Sequence, residues 1–279
     1  DFEEIFTIMK DLPVTIRLLD PPLHEFLPSS EKDMFSFSKT TGIDIEKVRT
    51  QSIRLHESNP MLGHRGCRLA ISYPEICEMQ SKAIFEAAIN VQKNSKEFVN
   101  IEIMIPLAST SAELRFCKDI INSVASSIIK KYNTKLKYQI GTMIELPRAA
   151  LCADDLASSA DFFSFGTNDL TQTALGISRD DIGSFLHQYL EEGIFPNDPF
   201  ISIDKEGVGK LLEIGIEKGK KTNNDLKLGV CGEHGGDPSS IEYFEKIQLD
   251  YISASPFRIP IARLAAAHSS IKMKNLLNA

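Results

Sequence analysis

The stretch YQIGTMIELPRAALCADDLASSADFFSFGTNDL, residues 138–170, sets the fold class. Tyr138 to Leu146 is an apolar strand-like run, and Pro147 to Ser159 reads as a helix opened by its proline. Phe162 to Gly166 is a second short apolar strand, and Leu170 to Leu175 is helical again. Continuous apolar strands alternating with helices predict a parallel sheet covered on its outer face. Each strand ends in polar residues: Glu145 closes the first, and Gly166-Thr167-Asn168-Asp169 leaves the second, with Asp169 lying 24 residues after Glu145.

The same alternation extends outward in both directions. Further strand candidates are Val14–Leu19, a segment within Met61–Tyr73, Ile101–Leu107, Leu226–Cys231 and Tyr251–Ser255, which makes seven in all. Helical spacing marks Phe2–Met9, Ile43–Leu55, Glu75–Gln92, Ala112–Lys131 (capped by Ser109 or Thr110), Gly183–Tyr189, Gly207–Lys221, Ser239–Ile247 and Pro260–Leu277. Pro28–Ser38 and Lys220–Asp225 read as linkers, but neither divides the chain, so residues 1–279 form one domain. A (β/α)8 TIM barrel and a doubly wound open sheet are the two choices at this length. No G-x-G-x-x-G follows the first strand, and polar residues gather at several strand ends (Glu145, Thr167–Asp169, Cys231–His234), which favours the barrel. The chain opens on a helix, so the seven strands leave an eight-stranded barrel one strand short, apparently its first.

Composition bounds the function. The 279 residues are 42% hydrophobic and 25% charged, with no run near the roughly 18 apolar residues of a membrane helix. The start, Asp1-Phe2-Glu3-Glu4, has no basic or apolar leader. Five cysteines, at 67, 77, 117, 152 and 231, show no C-x-x-C pair and point to a reducing cytoplasm rather than a disulfide framework. A net charge of -7 speaks against nucleic acid as a partner, but it leaves room for an anionic small molecule held by local arginines.

Several residues could carry chemistry, each beside a plainer role. Glu145 is either a structural ion-pair partner or, with Asp169 from the adjacent strand end, a ligand of Mg²⁺ whose remaining positions go to water and substrate. Asp169 also suits an N-cap for the following helix. Arg17, Arg65, Arg68 and Arg179 are either structural ion pairs or a converging anion pocket, and Arg17, inside VTIRLL, calls for a buried anion. Cys231 is either inert core or a proton donor or nucleophile at a glycine-rich rim. His64 and His234 follow glycines and would bond a ligand or satisfy a loop.

Taken together, TIRLLDPPLHEFLP (15–28), NPMLGHRGCRLAISYPEICEMQSKAI (59–84), IEIMIPL (101–107), GTMIELPRAAL (141–151), FFSFGTNDLTQ (162–172), SRDD (178–181), GVCGEHGGDP (229–238) and SASPFRIPIARLAAAH (253–268) resemble the C-terminal phosphoenolpyruvate/pyruvate-binding domain of the PEP-utilising enzymes. The LLDPPLHEF and EHGGDP wording resembles that of the pyruvate, phosphate dikinases, while phosphoenolpyruvate synthase and enzyme I of the sugar phosphotransferase system share the GTND and C-G-E elements. The resemblance implies a (β/α)8 barrel that takes a phosphoryl group from a phosphohistidine on a mobile domain and passes it to pyruvate. Mg²⁺ would be held by Glu145 and Asp169, and substrate lined by Gly166, Thr167, Asn168 and Asp169. Arg17 would bind phosphate, Arg65 and Arg179 would supply further anion contacts, and Cys231 would act as acid/base at C3 of the substrate. A thiol near its unperturbed value of about 8.5 would serve either direction of proton transfer. A homodimer is implied too. The family's G-x-T-S-H phosphohistidine motif, its ATP-grasp domain and its G-L-C-R-T-E strand do not occur in this sequence. The expectation is a piece of a multidomain enzyme that does not by itself make phosphoenolpyruvate from ATP, phosphate and pyruvate. The competing expectations are a phosphoenolpyruvate synthase-like domain, a silent dimerisation barrel, or a lyase acting on keto acids.

Overall fold

Six parallel strands pair in the order in which they leave the chain: β1 (Pro13–Arg17), β2 (Asn100–Ile105), β3 (Lys137–Ile144), β4 (Phe162–Gly166), β5 (Lys227–Cys231) and β6 (Tyr251–Ile252). The structure, a computed structural model, describes residues 1–57, 62–95 and 98–277. The register sets Arg17 against Met104, Ile105 against Thr142 and Gly166 against Cys231, so the C-terminal strand ends gather along one rim. Helices fill the connections: α1 (Phe2–Met9), α2 (Glu31–Thr41), α3 (Ile45–Leu55), α4 (Cys67–Ser72), α5 (Pro74–Ser95), α6 (Ser111–Tyr132), α7 (Pro147–Leu151), α8 (Ala153–Ala157), α9 (Thr167–Leu175), α10 (Leu186–Glu191), α11 (Val208–Thr222), α12 (Pro238–Lys246) and α13 (Ile259–Leu277). Among the described residues, no helix is long and apolar enough to cross a membrane.

The two faces of the sheet differ in chemistry. Ile101, Ile103 and Ile105 of β2, Phe163 and Phe165 of β4, and Leu228 and Val230 of β5 pack outward with Ile84, Phe85, Ile121, Leu156, Leu212 and Phe244 of the helices to form the main core. The alternate positions point inward, as period-two geometry requires. They make a small apolar cluster of Met104, Met143 and Phe162 with Cys231. Beside it lies a polar set in which Thr15 Oγ1 donates to Glu102 Oε2 at 2.6 Å and Lys227 Nζ meets Glu102 Oε1 at 2.7 Å. β2 and β5 are three strand spacings apart, roughly 14 Å on a flat sheet. Side chains that touch across that span show a sheet curled toward its inner face.

The structure alters the expected element count. The strand candidate within Met61–Tyr73 is helix α4, while Met61 itself lies outside the described residues. Cys67 and Ala70, three apart, are buried on one helical face, and the Gly66 and Cys67 amides bond to the carbonyls of Asp20 and Pro106. A short apolar run does not distinguish strand from helix by periodicity alone. The described residues therefore hold six strands, not seven, in a curled sheet whose outer strands are β1 and β6. Pro28–Ser38 is no linker: Ser30 caps α2 by accepting from the Asp33 amide. The helix expected over Pro147–Ser159 breaks at Cys152 into α7 and α8. The expected capping of α6 is made by Thr110, in a reciprocal box with Glu113.

Candidate active site

At the C-terminal rim the strand ends surround a cavity of about 520 Å³, lined among others by Arg17, Asp20, Arg65, Glu145, Gly166, Asn168, Asp169, Gln172, Arg179 and Cys231. Eight of the nine residues expected in the site from sequence converge on it: Arg17, Arg65, Glu145, Gly166, Asn168, Asp169, Arg179 and Cys231. The ninth, Thr167, is buried outside the lining; its Oγ1 sits 2.7 Å from His234 Nδ1 and 2.9 Å from the Cys231 carbonyl oxygen. Thr167 thus braces the rim from behind rather than facing the cavity with its hydroxyl.

Glu145 follows β3 and is 1% exposed. Its Oε1 accepts from the Leu107 amide at 2.6 Å, and Leu107 holds that amide in place with a left-handed φ of 61°, a costly backbone choice for leucine. Burial, followed by the nearby Asp169 and Asp20 carboxylates, pushes the Glu145 carboxyl well above the usual carboxylate range. Asp169 lies in the first turn of α9, whose N-cap is Gly166, so it is not the cap that its position also suggested. Its Oδ2 instead accepts from Arg65 Nη2 at 3.0 Å and its Oδ1 from Gln172 Nε2 at 2.9 Å.

Asp20 organises the arginines. It is 5% exposed and takes Arg65 through Nε at 3.2 Å and Nη2 at 2.7 Å, and Arg17 through Nη1 at 3.1 Å. Burial opposes the charge on Arg65, but Asp20, Asp169 and Glu145 more than offset it and hold the guanidinium protonated. The buried anion that Arg17 called for is Asp20, while the Arg17 side chain is itself 43% exposed at the cavity. Arg179 is half-exposed on the opposite side, 3.9 Å from Glu233. Arg68 and His64 lie outside the lining: Arg68 Nη1 donates to the Leu62 and Gly63 carbonyls, and His64 Nε2 is 3.3 Å from the Arg68 carbonyl.

Two glycines let the rim close up. A Cβ on Gly166 would stand 2.7 Å from Met143 Sδ and 2.8 Å from Glu145 Cβ. Gly232, at φ 116°, would bring one within 2.5 Å of Thr167 Oγ1. Between these turns the Glu233 amide donates to Asn168 Oδ1 at 3.1 Å, which leaves the NH2 group of Asn168 for the cavity it lines. Burial pushes the Cys231 thiol up to about 11, opposed by a hydrogen bond with Ser164 and by the charge of Arg17. It is therefore a protonated thiol at neutral pH, not the evenly poised group expected from an unperturbed value. His234 is buried, and burial lowers its basicity. Its Nε2 lies 2.8 Å from the Pro199 carbonyl, which only accepts, so this nitrogen carries the proton.

The donor set fits a magnesium ion. Mg²⁺ is commonly bound through one or two carboxylates with water and substrate oxygens completing six positions, and Glu145 and Asp169 supply two. Their mutual repulsion inside a buried pocket is what a divalent cation relieves. Among the described residues, no three His, Cys, Asp or Glu side chains are grouped so as to hold a metal ion by themselves. Asp20, Leu107 and Gln172 were not anticipated from sequence. Asp20 is legible in hindsight as the acid that ends the run containing Arg17, whereas Leu107 and Gln172 carry no local signal.

The family model described as PEP-utilising enzyme, PEP-binding domain, matches residues 1–271. Pyruvate, phosphate dikinase of Rhizobium meliloti (strain 1021) is 59% identical over 271 residues, covering 97% of this chain and 30% of that protein. The Clostridium symbiosum protein of the same name is 50% identical over 98% of this chain and 31% of its own length. The chloroplastic one from Flaveria bidentis is 54% identical over 96% of this chain and 28% of its own. The chain thus spans about 30% of the length of the curated relatives it matches. By a match that runs from β1 through β6, the chain belongs to the PEP-utilising enzymes, in the family of their PEP-binding domain.

Proposed function

We propose that this chain is the phosphoenolpyruvate/pyruvate site of a pyruvate, phosphate dikinase, where a phosphoryl group from a phosphohistidine passes to the enolate of pyruvate. The observation that carries the reading is the convergence of Arg17, Arg65, Arg179, Glu145, Asp169, Asn168 and Cys231 on a single cavity at the strand ends. Mg²⁺, held by Glu145 and Asp169, would supply Lewis-acid stabilisation of the carboxylate and enolate oxygens of the substrate. Arg17 and Arg179 balance the charge of the phosphoryl group, and Arg65, clamped by Asp20 and Asp169, keeps the carboxylate pair from repelling an anion. Asn168 donates to a substrate oxygen. Cys231, protonated at neutral pH, gives its proton to C3 when pyruvate is formed; in the other direction its thiolate takes a proton from the methyl group.

The rest of the proposal follows the resemblance. A phosphohistidine-bearing domain of the same enzyme is the phosphoryl donor, and residues 1–279 are one domain whose curled six-stranded sheet is part of a (β/α)8 barrel incomplete in this chain. The enzyme is a homodimer, a reading supported by the exposed apolar Phe257 before α13 and Leu264 within it. Five free thiols suit the reducing cytoplasm. The test is deuterium exchange at the methyl of pyruvate in D2O with Mg²⁺, followed by NMR on the protein containing this chain. Exchange that Cys231→Ala abolishes is expected; exchange that survives the substitution would remove Cys231 from the role.

A further inference from the structure

We infer that Gln172 is a positioning residue that sets the Asp169 carboxylate for a divalent cation and ties it to the segment carrying Arg179; this rests on the ligand role proposed above for Asp169. Gln172 stands one helical turn after Asp169 on α9 and is 9% exposed. Its amide is used at both ends. Oε1 accepts from the Arg179 backbone N–H at 2.8 Å, and Nε2 donates to Asp169 Oδ1 at 2.9 Å. Chemistry allows one orientation: a backbone N–H only donates, so the amide oxygen must face it and the NH2 group must face the carboxylate.

A donor in that place fixes the direction in which Oδ1 points. Arg65 Nη2 holds the other oxygen, Oδ2, at 3.0 Å, so the plane of the carboxylate is fixed from both sides. The chain of contacts continues past Gln172. Arg179 Nη1 lies 3.9 Å from Glu233 Oε1, and the Glu233 amide donates to Asn168 Oδ1 at 3.1 Å, next door to Asp169. One buried amide therefore governs both where the metal-binding oxygen points and where the anion-binding arginine begins. Support of this kind around a metal ligand typically changes metal affinity 10- to 100-fold when removed.

The test is Mn²⁺ titration by EPR on the full-length protein, comparing the parent with Gln172→Met, Gln172→Ala and Asp169→Asn. Met removes both hydrogen bonds at similar volume; Ala does so while keeping the helix propensity of α9, should the Met variant fail to fold. The expected result is a Kd for Mn²⁺ raised about tenfold in the Gln172 variants, with a thermal midpoint close to that of the parent. At saturating metal these variants should recover kcat yet keep a raised KM for the anionic substrate, because the Arg179 segment is released. A folded Gln172 variant that binds Mn²⁺ within twofold of the parent overturns the inference. Asp169→Asn separates the two layers: unchanged Mn²⁺ binding there removes the metal site itself, whereas loss there without loss in the Gln172 variants removes only the role of Gln172.

Discussion

Lys227 of β5 reaches across the inner face of the sheet to Glu102 of β2, Nζ to Oε1 at 2.7 Å, while Thr15 of β1 donates to the other oxygen at 2.6 Å. Glu102 is 3% exposed, so its charge depends on these partners. Lys227→Met should destabilise the protein by about 3 kcal/mol, because it strands a buried carboxylate. Adding Glu102→Gln should recover most of that loss. Urea unfolding of the single and double variants reads both outcomes, and an additive pair would mean the bridge contributes nothing.

Glu145 links stability to pH and to metal. Its carboxyl is held above its ordinary value near 4.5, so the folded chain binds that proton more tightly than the unfolded one. The corresponding stability is present below the ordinary value and is lost as pH rises through the folded one. Without metal, the thermal midpoint should therefore fall as pH climbs from about 5, and Mg²⁺ should restore it near neutrality. Glu145→Gln should raise the metal-free midpoint at pH 7 and erase the Mg²⁺ response. Thermal scans with and without Mg²⁺ decide it.

Cys231 should be slow to alkylate at neutral pH in spite of lining the cavity, since its thiol is pushed up to about 11. Iodoacetamide labelling resolved by peptide mass spectrometry should show Cys231 modification climbing steeply only above about pH 9, as the thiolate appears. Rapid labelling of Cys231 at pH 7 would contradict the burial argument.

Gly232→Ala should cost activity far more than fold. The added methyl meets Thr167 Oγ1 at 2.5 Å and Asn168 Oδ1 at 3.0 Å, on a backbone at φ 116°. Strain of roughly 1–3 kcal/mol is absorbed most readily by moving the two site turns apart. A fall in kcat/KM of at least tenfold, with a folded protein by circular dichroism, is expected.

The site was more legible in the sequence than the sheet. Glu145, Asn168 and Asp169 could be read because they stand just past apolar strands, where a polar residue has no packing reason to be, and Cys231 because it closes a strand just before a glycine-rich turn. The strand count differs at residues 67–72, where apolar Leu69, Ala70 and Ile71 lie between Arg68 and Ser72 and the segment folds as α4, its entry tied by the Gly66 and Cys67 amides to the Asp20 and Pro106 carbonyls. Thr167, which the resemblance places in the substrate lining, turns its hydroxyl toward buried His234, a partner 67 residues away that no local signal announces. Gln172 stayed hidden for the opposite reason: its partners, Asp169 and the Arg179 amide, meet it only once α9 and the turn after it have formed.

The strictly sequential strand order bears on how the protein is made. A chain emerging from the ribosome can lay each strand on the edge of the one before it, although helices α2 to α5 separate β1 from β2 in the chain. Two of the longest side-chain ties close late: Arg65 to Asp169, 104 residues apart, and Glu102 to Lys227, 125 apart. Cys231 arrives just after Lys227. The carboxylates and arginines of the cavity thus leave the ribosome before Cys231, which closes β5.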